Sequence, residues 1–129
     1  MVDPALEDPV VPARWTAEQY LRLVDDGVLG PDDRVELLEG VIVSMAPQNV
    51  PHAAGVTRAT HGLTLAAAGR AVVRPQLSFV AGEYSVPEPD LAVVAGGLDA
   101  CDQAHPRDAL LVVEVSDSSL RQDRMTKAP

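Results

Sequence analysis

Two acidic residues beside apolar runs are the side chains of this sequence best suited to do chemistry. Glu114 interrupts the apolar run Ala109–Val115, and Asp90 directly precedes the run Leu91–Ala95. Burying a carboxylate without compensation costs much free energy, so such a group needs a proton, a partner or a metal ion. Carboxylates from two adjacent strands form an oxygen-rich pocket that suits Mg²⁺ or Mn²⁺. The pattern therefore predicts a divalent-cation site formed by Asp90 and Glu114.

Each of the two residues also has a simpler structural interpretation. Asp90 follows Pro89, and an aspartate in that place is typical of a turn that leads into a strand. Glu114 lies near the end of its predicted strand, where it could point into water. We favour the functional interpretation for Glu114 because ligands bind at strand ends in α/β sheets. A metal-free hydrolase, with the two carboxyls as an acid–base pair, is a further hypothesis.

Three more residues are weaker candidates for the same chemistry. Lys127 follows Asp123 by four residues, which places both on one helix face and favours a salt bridge. Its alternative role is an ammonium that stabilises developing phosphate charge beside the carboxylates. His52 stands at a predicted helix start, where it either faces a cleft or is an ordinary surface histidine. Glu36 lies in a predicted hairpin and is equally consistent with a solvated strand face.

The first elements that must position these residues are predicted from capping and turn residues. Thr16 and Gln19 form a capping-box pattern at the start of a first helix. Residues 34–46 are apolar enough for two strands, and the dipeptide Glu39-Gly40 indicates a hairpin turn between them. The sequence therefore predicts a helix followed by a β-hairpin.

The remaining elements are predicted from hydrophobic spacing. A second helix is expected over residues 52–68, where apolar residues recur at helical spacing, and a last helix over 119–128. Four short strands are predicted between these helices: Ala71–Arg74, Leu77–Val80, Leu91–Ala95 and Ala109–Val115. The last strand is nearly all apolar, which predicts burial on both faces. The order α-β-β-α-β-β-β-β-α is typical of a mixed α/β domain whose sheet is flanked by helices.

Length and composition predict one cytoplasmic domain, over residues 15–129, preceded by a flexible arm over 1–14. The 129 residues include nineteen acidic and ten basic side chains, for a net charge of −9. That balance argues against a protein that coats nucleic acid, although a bound metal ion would supply local positive charge. The single cysteine excludes an internal disulfide and a cysteine-based zinc site. No signal peptide and no membrane-spanning run is apparent, so no membrane partner is expected.

The ordered set of motifs resembles the Uma-type family, bacterial proteins of the restriction-endonuclease-like PD-(D/E)xK superfamily. The resemblance extends from about Glu18 to Pro129. It rests on Glu36-Leu-Leu-Glu-Gly-Val-Ile-Val-Ser-Met, His52, Pro89-Asp90-Leu-Ala-Val-Val, and Val113-Glu114-Val-Ser116-Asp-Ser-Ser with Asp123 and Lys127. It implies a single α/β (α+β) domain with a restriction-endonuclease-like mixed sheet flanked by helices.

The resemblance also implies roles for individual residues. Asp90 and Glu114 match the two motif carboxylates, which are expected to ligate Mg²⁺ or Mn²⁺. The usual lysine of the superfamily would fall at Ser116. In this family the lysine has moved to the following helix, where Lys127 matches it. The positions expected to support the site are Glu36, His52 and Ser116.

The function implied is that of a metal-dependent endonuclease or phosphodiesterase acting on nucleic acid, with DNA as the expected partner. Family members continue past the lysine with more helix and further strands, whereas this sequence stops at Pro129. We therefore expect the domain to lack its C-terminal part. This departure motivates an alternative, a catalytically inactive member of the fold that acts as a binding or dimerising protein. An exposed apolar edge at Ala109–Val115 would then favour a homodimer.

Overall fold

The computed structural model describes residues 13–116, which form two α-helices and two small antiparallel sheets. The helices are α1 (Ala17–Asp25) and α2 (Val50–Ala67), and the strands are β1 (Val35–Leu38), β2 (Val41–Ser44), β3 (Ala71–Pro75), β4 (Leu91–Ala95) and β5 (Leu111–Val113). These helices and strands confirm the predicted mixed α+β class. Within the described residues no helix is both long and apolar enough to cross a membrane.

The first helix and the hairpin follow from their local sequence. Thr16 Oγ1 accepts a hydrogen bond from Gln19 N at 3.1 Å, and Gln19 Oε1 accepts one from Thr16 N at 3.0 Å. This reciprocal pair is the predicted capping box. Glu39 and Gly40 have φ values of 51° and 83°, the left-handed pair that a two-residue hairpin turn requires. The turn fixes the register of β1 against β2 and thereby the position of Glu36.

Helix α2 begins at Val50, slightly earlier than its apolar spacing predicts. The cause is the cap residue Asn49, whose side chain accepts a hydrogen bond from His52 N at 2.9 Å. Pro51 lies in the first turn, where its missing N–H leaves no helical hydrogen bond unmade. The cap therefore holds His52 in the first turn of α2.

The three-stranded sheet has the order β3-β4-β5, and all its pairings are antiparallel. Residues 91–94 of the central strand β4 are all buried. Leu91 pairs with Val113 at one end of the β4–β5 ladder. The next residues outward, Asp90 and Glu114, therefore stand opposite each other on adjacent chain segments.

Residues 77–80 do not form the predicted strand. Phe79 N donates to the carbonyl of Pro87, and Val80 N donates to the carbonyl of Pro106, each at 2.9 Å. Because proline has no N–H, these partners cannot return the hydrogen bonds that a strand ladder needs. The segment is instead held as an extended loop between two proline-containing segments.

The last predicted strand is shorter and more exposed than its apolar run suggests. Within residues 13–116, β5 is an edge strand, and Leu111 and Val112 are 47% and 48% exposed. The prediction that this strand is buried on both faces is therefore wrong for the described part of the chain. An apolar run shows that a strand can be buried, but the packing of distant segments decides whether it is covered. The most buried strand is β4.

A small core ties the hairpin to the segment that precedes β4. The core consists of buried residues from α1, β1 and the loop before β4: Ala17, Tyr20, Leu37, Val80 and Val86. Leu37 N donates to the Val86 carbonyl at 3.2 Å, and Val86 N donates to the Leu37 carbonyl at 2.8 Å. This bridge brings Glu36, one residue before Leu37, close to Glu88, two residues after Val86.

Candidate active site

An open cavity of about 1010 Å³ lies where α1, the hairpin, the start of α2 and the segments flanking β4 and β5 meet. Four carboxylates line it, together with one arginine and one histidine: Glu36, Glu88, Asp90, Glu114, Arg34 and His52. Four of the side chains singled out in the sequence thus share one cavity. Ser116 is exposed and does not line the cavity. Lys127 lies outside the described residues.

Asp90 is held by one side chain and one backbone donor. His52 Nε2 lies 2.9 Å from Asp90 Oδ1, and Val115 N donates to Asp90 Oδ2 at 2.8 Å. The side chains of His52 and Asp90 are only 19% and 13% exposed. Each carboxylate oxygen has two lone pairs, so each retains one acceptor direction after these contacts. Asp90 is therefore oriented by the fold and still able to bind a cation.

Glu114 faces Asp90 across the antiparallel register and is electrostatically linked to it. Partial burial raises the pKa of the Glu114 carboxyl, and the hydrogen bond with Asp90 and its negative charge raise that pKa further. Glu114 is an exposed residue, so solvent screens part of this repulsion. A proton at low pH or a cation at neutral pH would relieve the remaining repulsion between Glu114 and Asp90.

This pairing predicts a pH-dependent effect of Glu114→Gln in protein freed of metal by a chelator. The folded-state pKa of Glu114 is raised above its ordinary value of 4.5. The stability that this proton contributes is present below the ordinary pKa and is lost as pH rises through the folded pKa. Glutamine carries no such charge, so we expect the variant to melt higher than wild type near neutral pH and similarly to it in acid.

Melting scans of both proteins at several pH values between acid and neutral measure the effect. Glu83→Gln is the control, because Glu83 is an exposed residue that does not line the cavity. A difference between wild type and Glu114→Gln that fails to grow with pH would contradict the repulsion between Glu114 and Asp90.

A second pair of carboxyls, Glu36 and Glu88, lines the same cavity. Glu88 N donates to Glu36 Oε1 at 3.1 Å. Burial raises the pKa of Glu88, the charge of Glu36 raises it further, and Arg34 opposes the shift. Tyr20, whose hydroxyl donates to the Val35 carbonyl at 3.1 Å, also has its pKa raised by burial and by both carboxylates. The negative field therefore extends beyond Asp90 and Glu114.

Three contributors to the site were not identified from the sequence: Arg34, Glu88 and the backbone N–H of Val115. Glu88 precedes Asp90 by two residues, and an extended chain places such residues on the same side. The sequence Glu88-Pro89-Asp90 could therefore have indicated that Glu88 lies beside Asp90. The role of the Val115 N–H could not be recognised from the sequence, because every residue except proline has such a donor.

The carboxylate oxygens of Asp90 and Glu114 fit a hard divalent cation that takes few protein ligands. Within residues 13–116, no group of three or more His, Cys, Asp or Glu residues is arranged to hold a metal ion. Mg²⁺ needs no such cage, because it commonly takes one or two carboxylates and completes its shell with waters and substrate phosphate. Two opposed carboxylates beside an open cavity match that requirement.

Comparisons with known proteins place the whole site inside one family match. The family model described as "Uma2: Putative restriction endonuclease" matches residues 17–129. The matched range includes every cavity residue named above and also Lys127. No curated protein and no solved structure matches the chain. The roles of individual residues are therefore inferred from the geometry of the cavity.

Proposed function

This chain belongs to the Uma2 family, and we propose that it is a nuclease that hydrolyses phosphodiester bonds of DNA with Mg²⁺ or Mn²⁺. The observation that carries the proposal is the pairing of Asp90 with Glu114. The two carboxyls come from segments 24 residues apart (114 − 90), the antiparallel register sets them opposite each other, and both line an open cavity. Such a pair supplies the oxygen ligands that these cations prefer.

Each side chain around the cation site has a distinct task. Asp90 and Glu114 provide the two oxygen ligands, and His52 with the Val115 N–H fixes the direction of the Asp90 carboxylate. A bound divalent cation polarises a phosphoryl oxygen and lowers the pKa of water, which is the chemistry that phosphodiester hydrolysis requires. The orientation of Asp90 before substrate arrives reduces the reorganisation needed in the transition state.

The charge of the cavity makes substrate binding depend on the cation as well. Glu36 and Glu88 add two carboxyls to those of Asp90 and Glu114, whereas Arg34 is the arginine among the lining residues. A phosphate group that approaches the cation-free cavity meets net repulsion. Asp90 and Glu114 would hold a divalent cation, whose charge would lower that repulsion near the pair. We therefore expect DNA to bind measurably only when a divalent cation is present.

Purified protein incubated with plasmid, linear duplex, single-stranded DNA and RNA tests the proposal. We expect cleavage of DNA with Mn²⁺ or Mg²⁺ and none in excess chelator. Failure to cleave any of the four substrates with either cation would overturn the proposal and favour a binding or dimerising protein, which light scattering would then examine. Undiminished cleavage in chelator would favour the metal-free acid–base pair instead.

The resemblance to the family assigns Lys127 the role of stabilising the charge on the reacting phosphate. This role predicts a variant that cleaves more slowly but still binds the cation. Lys127→Met is expected to lower the cleavage rate by ~10²-fold or more, as for loss of a group that stabilises transition-state charge. Binding of Mn²⁺ should be unchanged, because Lys127 is not one of the proposed ligands. Cleavage rates and the Mn²⁺-induced rise in melting temperature separate the two effects.

The matched control for Lys127→Met is Arg58→Met, which removes an exposed cation on α2. A Lys127→Met rate equal to that of wild type would remove Lys127 from the proposed chemistry. Loss of the Mn²⁺-induced shift in this variant would show that Lys127 acts on the fold or on the cation site instead.

A further inference from the structure

Gly55 lies at a close approach between α2 and the chain that follows β5. A Cβ atom at this position would lie 2.7 Å from Val115 Cγ1, closer than real Cβ contacts. A glycine inside a helix destabilises it relative to alanine. Gly62 in the same helix has open space around the position of its missing Cβ. The sequence therefore keeps a residue unfavourable for the helix at Gly55, where the packing excludes a side chain.

The two elements that meet at Gly55 also provide the contacts that His52 and Val115 make with the carboxylate oxygens of Asp90. His52, three residues earlier in α2, contacts Asp90 Oδ1, and the Val115 N–H binds Asp90 Oδ2. Val115 is branched at Cβ and has few rotamers, so pressure on its Cγ1 is passed to its own backbone. A change in the distance between α2 and Val115 therefore alters the two contacts that orient Asp90.

We propose that Gly55 is a positioning residue: the absence of its Cβ lets α2 and Val115 approach closely enough to hold Asp90 from both sides. The proposal rests on the cation site at Asp90 and Glu114 for its functional consequence. Its structural part, the contact between Gly55 and the Val115 backbone, is measurable without any cation. Loss of groups that orient a metal ligand typically lowers metal affinity by ~10- to 100-fold.

Four variants of the full chain test this role: Gly55→Ala, Gly62→Ala, Val115→Ala and the double variant Gly55→Ala/Val115→Ala. Gly62→Ala is the matched control, since it gains helix propensity without a clash and is expected to melt a few degrees higher than wild type. Gly55→Ala is expected to melt lower than wild type, to shift the amide proton resonance of Val115 in metal-free protein, and to bind Mn²⁺ ~10-fold more weakly.

The double variant gives the decisive result. Val115→Ala keeps the backbone N–H and removes the Cγ1 atom that the new methyl group would meet. We therefore expect Gly55→Ala/Val115→Ala to recover the wild-type Val115 amide resonance environment and Mn²⁺ affinity to within ~3-fold, less than the loss of an orienting group. A loss with a cause other than the contact with Val115 Cγ1 would not be rescued in this way. If Gly55→Ala alone does not fold, recovery of folding and of Mn²⁺ affinity in the double variant supports the same conclusion.

Two outcomes overturn the inference. One is a Gly55→Ala protein whose Val115 amide resonance and Mn²⁺ affinity equal those of wild type. The other is a double variant that remains as impaired as Gly55→Ala. Absence of Mn²⁺ binding by wild-type protein would overturn the proposed function, while the amide resonance in metal-free protein would still decide the role of Gly55.

Discussion

Asp90→Ala is expected to abolish cation-dependent cleavage of DNA. The substitution removes one of the two carboxylates that face each other across the β4–β5 register. A metal ion supplies several kcal/mol of transition-state stabilisation, and losing about 4 kcal/mol of it lowers the rate by ~10³-fold. The remaining carboxylate, Glu114, is on the exposed side of the site and lacks the two donors that orient Asp90. We therefore expect little residual activity.

The same substitution is also expected to reduce stability. It leaves His52 Nε2 and the Val115 N–H without their acceptor, and each such loss at a part-buried group costs ~1 kcal/mol or more. Relief of the repulsion with Glu114 offsets part of this cost. Stability and cleavage should be measured together, with Asp108→Ala as a control at an exposed aspartate outside the cavity. Cleavage by a folded Asp90→Ala protein at the wild-type rate would contradict the proposed ligand role.

Mn²⁺ is expected to raise the melting temperature of wild-type protein by roughly 5 °C or more. A ligand that binds only the folded state adds about 2.7 kcal/mol of stability at a hundred times its dissociation constant. We attribute the expected coupling to the carboxylate pair, since a cation bound there would replace the repulsion between Asp90 and Glu114 by two attractions. At equal concentration Mn²⁺ should give a larger shift than Mg²⁺, because Mg²⁺ demands near-ideal octahedral geometry.

The shift should vanish in Glu114→Gln and persist in Glu83→Gln. Scans are best run near neutral pH, where both carboxyls can ionise to receive the cation, with chelator as the reference. Wild-type protein that is folded yet melts at the same temperature in chelator and in millimolar Mn²⁺ would contradict a cation site on the described carboxylates. The comparison of Glu114→Gln with wild type excludes stabilisation by nonspecific binding elsewhere on this acidic chain.

Local chemistry made part of the fold predictable from sequence. Thr16 and Gln19 satisfy each other's backbone donors, and Glu39-Gly40 adopts the left-handed pair of a tight turn. The bounds predicted for β4 match the structure because a proline-rich segment precedes this apolar run and a glycine follows it. Such features depend on a few neighbouring residues, so the sequence determines them directly.

Features set by distant contacts were not predictable in the same way. Residues 77–80 have strand-like composition, but their hydrogen-bond partners include Pro87 and Pro106, which cannot complete a ladder. The exposure of β5 depends on which segments cover it, and an apolar run does not specify them.

The candidate site also has some features that the sequence predicts and others that depend on distant contacts. The apolar runs beside Asp90 and Glu114 predicted a strand at each residue, and the sheet register sets the two residues opposite each other. The backbone donor of Val115 and the close approach at Gly55 are properties of three-dimensional packing. Residue type does not indicate which backbone N–H will bind a distant side chain. A helical glycine is equally consistent with an open surface position such as Gly62.

Diffraction from crystals grown or soaked with Mn²⁺ tests the proposed cation site most directly. Anomalous scattering locates the ion independently of any activity. We expect a single strong peak between the Asp90 and Glu114 carboxylates, at roughly 2.0–2.6 Å from an oxygen of each, as for hard divalent cations. His52 should still contact Asp90 from the opposite side. Crystals in millimolar Mn²⁺ with no peak at this pair, or with a peak only elsewhere, would contradict a cation site formed by Asp90 and Glu114.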